Sequence, residues 1–239
     1  MKVISLIGQK GGAGKSTIAR ILTSAAVMQS KRVVLLDCDP NKSTFTFYEK
    51  LTRNDPASAQ SVMGFHCSNT QEMEARIIEA DEAGDVDYCI VDTQGDLVKW
   101  VDDVIELSDR VIIPVKVSET DFTVQMATYQ RYEALREALA DPSQVGPVMF
   151  LLNQIKPGVK YPISLRDLFD EMESHERMLR FYVQERNIYN QTDQGILLGE
   201  YANRVTQTAI GNATPKYLTQ AMDEAKELLT AVEEVLVNG

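Results

Sequence analysis

The residues best suited to chemistry lie near the start of the chain, in Gly8-Gln9-Lys10-Gly11-Gly12-Ala13-Gly14-Lys15-Ser16-Thr17. A turn this rich in glycine lets backbone N–H groups curl around the oxygens of a phosphate. A helix starting directly behind it offers the same anion its unpaired N–H groups and positive dipole end. Lys15 then stands where a cation reaches β- and γ-phosphates, and the Ser16 hydroxyl where magnesium takes an oxygen ligand. Downstream, Asp37 and Asp39 close Val33-Val34-Leu35-Leu36-Asp37-Cys38-Asp39-Pro40, a carboxylate pair at the end of a parallel strand, over the crevice where ligands of such sheets bind. Either aspartate alone also suits a helix N-cap or a turn. Other chemistries are poorly supplied. His66 and His175 are the only histidines and no HExxH occurs, while Cys38, Cys67 and Cys89 form neither a CxxC nor an even disulfide set. A reducing cytoplasm fits that cysteine usage.

The phosphate loop needs a strand before it and a helix behind it. Val3 to Ile7 is a short β-branched and aliphatic run, and Arg32 to Leu36, Tyr88 to Val91, Val111 to Val115 and Val148 to Leu152 repeat the pattern. Ile18 to Met28 carries apolar residues at Ile18, Ile21, Leu22, Ala25 and Ala26, the stripe of an amphipathic helix, and Phe122 to Leu139 and Leu165 to Met172 follow suit. Strands alternating with helices predict an α/β fold, a mostly parallel twisted sheet with helices on both faces. Asn54 to Asn69 and Lys156 to Pro162, polar and punctuated by Pro and Gly, read as surface loops. With no repeat or low-complexity linker, residues 1–239 are expected to form one domain.

The chain has 239 residues, 44% of them hydrophobic, which is enough for one sizeable core. No uncharged apolar run approaches a membrane span, and Met1 leads into a segment too short for a signal peptide. The net charge of −11 is unevenly placed: residues 1–53 carry +6, residues 54–145 carry −13 and residues 146–239 carry −4. A local basic face thus remains open in the first and last segments.

Lys10-Gly11-Gly12-Ala13-Gly14-Lys15-Ser16 resembles the deviant Walker A motif, xKGGxxK[ST], of the ParA and MinD superfamily of P-loop ATPases. In that family the early lysine, here Lys10, crosses a nucleotide-sandwich dimer to the partner's phosphates. An extra cation in trans near a γ-phosphate stabilises charge as an arginine finger does. The resemblance extends to residue 155 or so. It implies that Gly11, Gly12, Ala13, Gly14, Lys15, Ser16 and Thr17 bind the nucleotide, that Asp39 in switch I orients the attacking water, and that Asp37 supports the magnesium shell or the fold of the switch. Tyr88-Cys89-Ile90-Val91-Asp92 resembles Walker B, so Ser16, Asp37, Asp39 and Asp92 form the implied magnesium set, with Lys10, Lys15 and Asp39 catalytic. Asn153, after the apolar run ending Leu151-Leu152, is implied at the adenine edge. Thr93-Gln94-Gly95 departs from the Asp-x-Pro-Pro of many members.

Within the family, an iron–sulfur member is disfavoured because Cys38 and Cys89 fall inside core strands. A membrane-bound member is disfavoured because the last helix, Lys216 to Val237, carries five acids against two lysines. The short partition ATPases fit better. The implied function is a switch that dimerises with ATP and magnesium, binds DNA nonspecifically on the nucleoid, and hydrolyses ATP when a ParB-like partner stimulates it, so positioning a DNA cargo. Arg177, Arg180 and Arg186 are the closest-spaced candidates for DNA phosphates, among Lys156, Lys160, Arg166, Arg204 and Lys216. The alternatives are a relative serving DNA transfer or organelle positioning, and a metabolic P-loop enzyme activating a small carboxylate.

Overall fold

Seven parallel strands form one sheet in the order β3-β2-β4-β1-β5-β6-β7. The computed structural model of the protein describes residues 1–95, 100–208 and 213–235. The strands are β1 (Lys2–Leu6), β2 (Val33–Cys38), β3 (Val62–His66), β4 (Tyr88–Thr93), β5 (Arg110–Val115), β6 (Val148–Ile155) and β7 (Met178–Gln184). The helices are α1 (Lys15–Met28), α2 (Ser43–Asn54), α3 (Pro56–Ala59), α4 (Thr70–Ala83), α5 (Val101–Glu106), α6 (Glu119–Ala138), α7 (Ile163–Ser174), α8 (Asn187–Gln191), α9 (Leu198–Thr208) and α10 (Lys216–Glu234).

The period of two along each inner strand divides its side chains between two cores. Ile4, Leu6, Val33, Leu35 and Ile90 face α1, α2, α8, α9 and α10. Val3, Ile7, Val34, Leu36, Cys89 and Val91 face α4, α5, α6 and α7. Both faces of the inner strands are covered, which is why those strands read as unbroken apolar runs.

Register positions the site. Asp92 pairs across the sheet with Leu6 on one side and Asp37 on the other, so the glycine-rich turn and both aspartates emerge at the same level of the carboxyl edge. The segment Asn54 to Asn69, expected to be loop, holds α3 and the edge strand β3, and β7 is a second edge strand that the sequence reading omitted. Lys156 to Pro162 is a loop, as expected.

Candidate functional site

The glycine-rich turn leaves β1 and ends on Gly14, whose φ of +101° suits glycine alone, and α1 starts at Lys15 with no side chain capping its first N–H groups. Those amides are left for an anion. Both ends of the turn are clamped. A Cβ on Gly8, at φ +147°, would come within 2.6 Å of the Gln125 amide, and one on Gly14 within 2.1 Å of Asn153 Nδ2. A Cβ on Gly11 or Gly12 would meet nothing within 4 Å, so the crown of the loop is open. Lys15 is buried, and its ammonium donates to the Gly8 carbonyl at 3.1 Å. Burial pulls its pKa down, opposed by the charges of Asp92 and Asp39.

The three aspartates are placed differently. Asp37 is fully buried; its Oδ1 accepts the Asp39 N–H at 2.9 Å and its Oδ2 accepts the N–H groups of Thr44 and Phe45, both at 2.8 Å. Both oxygens are thus engaged by backbone amides, one just past β2 and two at the start of α2, an arrangement that holds the β2–α2 connection in shape. Asp39 is partly exposed and accepts the Asn41 N–H at 2.8 Å in a tight turn. Asp92 is fully buried, with Oδ2 bonded to the Thr44 hydroxyl and Oδ1 without a hydrogen-bond partner among the described residues. Burial pushes its pKa up to about 6, against the pull of the Thr44 and Ser16 hydroxyls. A buried carboxylate with the Ser16 hydroxyl beside it is a pair of hard oxygen donors of the kind that would suit magnesium. A polar cleft of about 470 Å³ opens beside Ser16, walled by Asn41, Ser43, Thr46 and Lys50.

Other expected residues have structural partners of their own. Thr17 Oγ1 accepts from Arg20, which is buried and also pairs with Asp193 at 2.6 Å. Asn153 is buried; its Nδ2 donates to the Ala13 carbonyl at 2.8 Å and its Oδ1 accepts the Gln154 N–H at 2.8 Å. Its Nδ2 thus ties β6 to the phosphate loop while its Oδ1 is held by the neighbouring amide of β6. Thr93, a departure from the family pattern, donates its hydroxyl to the Leu6 carbonyl at 2.7 Å and so fastens β4 to β1 below the site. A second cleft of about 470 Å³ lies past the carboxyl ends of β6 and β7, between Pro157, Glu185, Ile188, Tyr201 and Tyr217.

Arg177, Arg180 and Arg186 do not make a free cationic patch. Arg186 forms a two-pronged ion pair with Glu224 of α10 at 3.1–3.2 Å, and Tyr189 donates to the same carboxylate. Arg177 is tucked beside Tyr129 and Glu176. Arg180 is exposed but shares a cleft with Glu173, Asp223 and Glu227, and donates to the Glu173 carbonyl.

Two residues that the sequence reading passed over also meet the loop. Asp121 of α6 pairs with Lys10, and Gln125, one turn on, packs on Gly8 and donates to the Pro114 carbonyl at 3.0 Å. Their spacing of four was visible, but polar residues on a helix give no periodic signal that they face inward.

The model of the VirC1 protein family matches residues 1–238. A ParA protein of Rhizobium radiobacter is 30% identical over 141 residues, covering 58% of this chain and 60% of its own, so the match spans less than two thirds of that relative. A virC1 protein of Rhizobium rhizogenes is 27% identical over 203 residues, covering 80% of this chain and 84% of its own. Among solved structures, apo McdA of Cyanothece superposes with a TM-score of 0.70 at 20% identity, covering 96% of this chain and 99% of that one. That similarity shows a shared fold.

Proposed function

The chain belongs to the VirC1 family, within the ParA/MinD superfamily, and on that premise we propose that it is an ATP-operated dimerisation switch that holds and positions DNA. The observation that carries this reading is the combination of an uncapped α1 behind a glycine loop with the partnerless Oδ1 of Asp92 at the same level of the sheet. In this proposal the loop amides and Lys15 take the triphosphate, and Ser16 and Asp92 hold magnesium directly or through water. The ion would neutralise charge on the β- and γ-oxygens. Asp39, the one aspartate of the three with an exposed face, orients the attacking water, and Asp37 holds switch I in shape around it. The base is accommodated toward the cleft past β6 and β7.

Lys10 stands on the open crown of the loop, where its ammonium can reach a second copy's phosphates. Closure of two such sites face to face makes the dimer depend on ATP. Nonspecific DNA binding then needs only cations free to meet phosphates. Lys156, Lys160, Arg166 and Lys216 are exposed, and among the described residues their side chains form no ion pair. They supply the DNA surface in this proposal in place of Arg177 and Arg186, and a dimer doubles their number. Among the described residues no helix is long and apolar enough to cross a membrane.

The test is molar mass by light scattering with no nucleotide, with ADP and with ATP plus magnesium, read beside phosphate release. Doubling of mass with ATP alone, lost in Lys15→Ala along with nucleotide binding, is the expected result. An unchanged mass in all three states, with ATP bound, contradicts the switch.

A further inference from the structure

Lys10, the cation this reading assigns to the partner's phosphates, is engaged within its own subunit. Asp121 lies in the first turn of α6, where Ser118 Oγ accepts its backbone N–H at 3.4 Å, and its carboxylate pairs with the Lys10 ammonium. The two ends of the pair differ in burial: the Asp121 side chain is 5% exposed and that of Lys10 38%. The carboxylate is thus fixed beneath the loop, and the cation sits above it at the rim. The anchor does not move easily, because Gln125, on the same face of α6, packs against Gly8 at the root of the loop. The cation is the freer end, carried next to the exposed Gly11 and Gly12, where an added Cβ would meet no described atom within 4 Å.

We propose that Asp121 is a positioning residue for Lys10: it parks the ammonium in cis, and the ion pair is exchanged for the partner's ATP phosphates when the dimer closes. The inference rests on the reading of Lys10 as a cation acting in trans. Leaving a buried carboxylate without its cation is costly, so the exchange proceeds only when the new partner offers more charge at shorter range. A γ-phosphate at the dimer seam meets that condition. In ADP the terminal charge lies one phosphate deeper, and the parked state persists. Asp121 thereby sets the threshold that makes dimerisation selective for the triphosphate.

The experiment compares wild type, Asp121→Asn, Asp121→Glu, Lys10→Ala and the Lys10→Ala/Asp121→Asn double variant. Three quantities are read: the protein concentration at which ATP gives half dimer, basal phosphate release, and the reaction rate of the Lys10 amine with a small acylating reagent in the nucleotide-free protein, located by mass spectrometry. Asp121→Asn is expected to lower the half-dimer concentration roughly ten-fold and to allow some dimer with ADP. It should also bring the acylation of Lys10 up to that of exposed Lys160. Asp121→Glu should restore slow acylation, and the double variant should lose the gain, since the effect runs through Lys10. A merely structural role for Asp121 would shift the unfolding midpoint and leave the acylation ratio of Lys10 to Lys160 unchanged. In the wild-type protein, which needs no variant to fold, acylation of Lys10 as fast as that of Lys160 overturns the proposal. So does an Asp121→Asn protein that folds and dimerises at the wild-type concentration. Normal dimerisation and hydrolysis by Lys10→Ala would instead bring down the trans reading itself, and the two failures are told apart by that variant.

Discussion

At the scale of single residues, Asp92 is a buried carboxylate with one oxygen bonded to Thr44 and the other without a hydrogen-bond partner among the described residues. Its pKa is raised from 3.8 to about 6, chiefly by burial, so the folded protein binds its proton more tightly than the unfolded chain does. The ionised form therefore costs stability. That cost is absent below pH 3.8, where both states are protonated, grows as the pH rises and is complete above pH 6 or so. Asp92→Asn, which keeps the shape and discards the charge, is expected to stabilise the nucleotide-free protein by about 1–3 kcal/mol at pH 8 and by nothing near pH 4. Urea unfolding at the two pH values checks this; equal stability of the two proteins at pH 8 would mean that the carboxylate is solvated or paired after all. The same variant should lose magnesium-supported hydrolysis, since the gain in stability and the loss of function have one cause. Lys15 and Ser16 were legible in the sequence because strand, glycine turn and helix fix their places by local rules, and Asp92 through the resemblance of its strand to Walker B. Asp121 was not: its partner lies 111 residues away in the chain, and only the packing of α6 on the loop brings the two together.

At the scale of elements, the phosphate loop is held from outside by α6 and β6. Asn153 reaches from the end of β6 to the Ala13 carbonyl, in the space a side chain on Gly14 would need. Gly14→Ala is expected to destabilise the protein by about 2–4 kcal/mol, from the collision and from the positive φ together. Adding Asn153→Ala removes the collision but leaves the positive φ and costs the two hydrogen bonds of the Asn153 amide, so the double variant should lose less than the sum of the two single variants. Thermal or urea unfolding of the three variants reads the coupling, and strictly additive losses would show that β6 does not clamp the loop. The limits of sequence reading at this scale have a common physical origin. The inner strands were legible because both faces are buried, whereas β3 and β7 lie at the sheet edges and are only partly buried, β3 interrupted by Gly64 and β7 carrying Arg180 and Gln184. In α6 the buried positions are Asp121, Gln125, Thr128 and Tyr132, so the helix was found but its inward face was not. Hydrophobic periodicity finds a core, and a polar face turned on a phosphate loop escapes it.

At the scale of the whole molecule, an acidic protein is asked to hold an anion. The conflict is eased by where the charges are spent. Arg186 is matched to Glu224 inside the fold, and removing it would leave that buried carboxylate without its cation, held only by the Tyr189 hydroxyl and the Gln184 N–H. Arg186→Ala is therefore expected to cost about 2–3 kcal/mol of stability, and to weaken DNA binding only as far as the fold is lost. Reversing Lys156 and Lys160 to Glu should leave the unfolding midpoint within a degree or two and weaken DNA binding strongly. The opposite pattern in the two variants would return the DNA surface to the arginines of β7 and its flanks. The central claim is that ATP closes a dimer whose pooled cations hold duplex DNA without regard to sequence. The most direct measurement is binding of a random-sequence duplex at 50 and 200 mM salt with no nucleotide, with ADP and with ATP plus magnesium. Binding is expected with ATP alone, falling by roughly a hundred-fold or more between the two salts. Binding of equal strength in all three nucleotide states, or none in any of them, would contradict it.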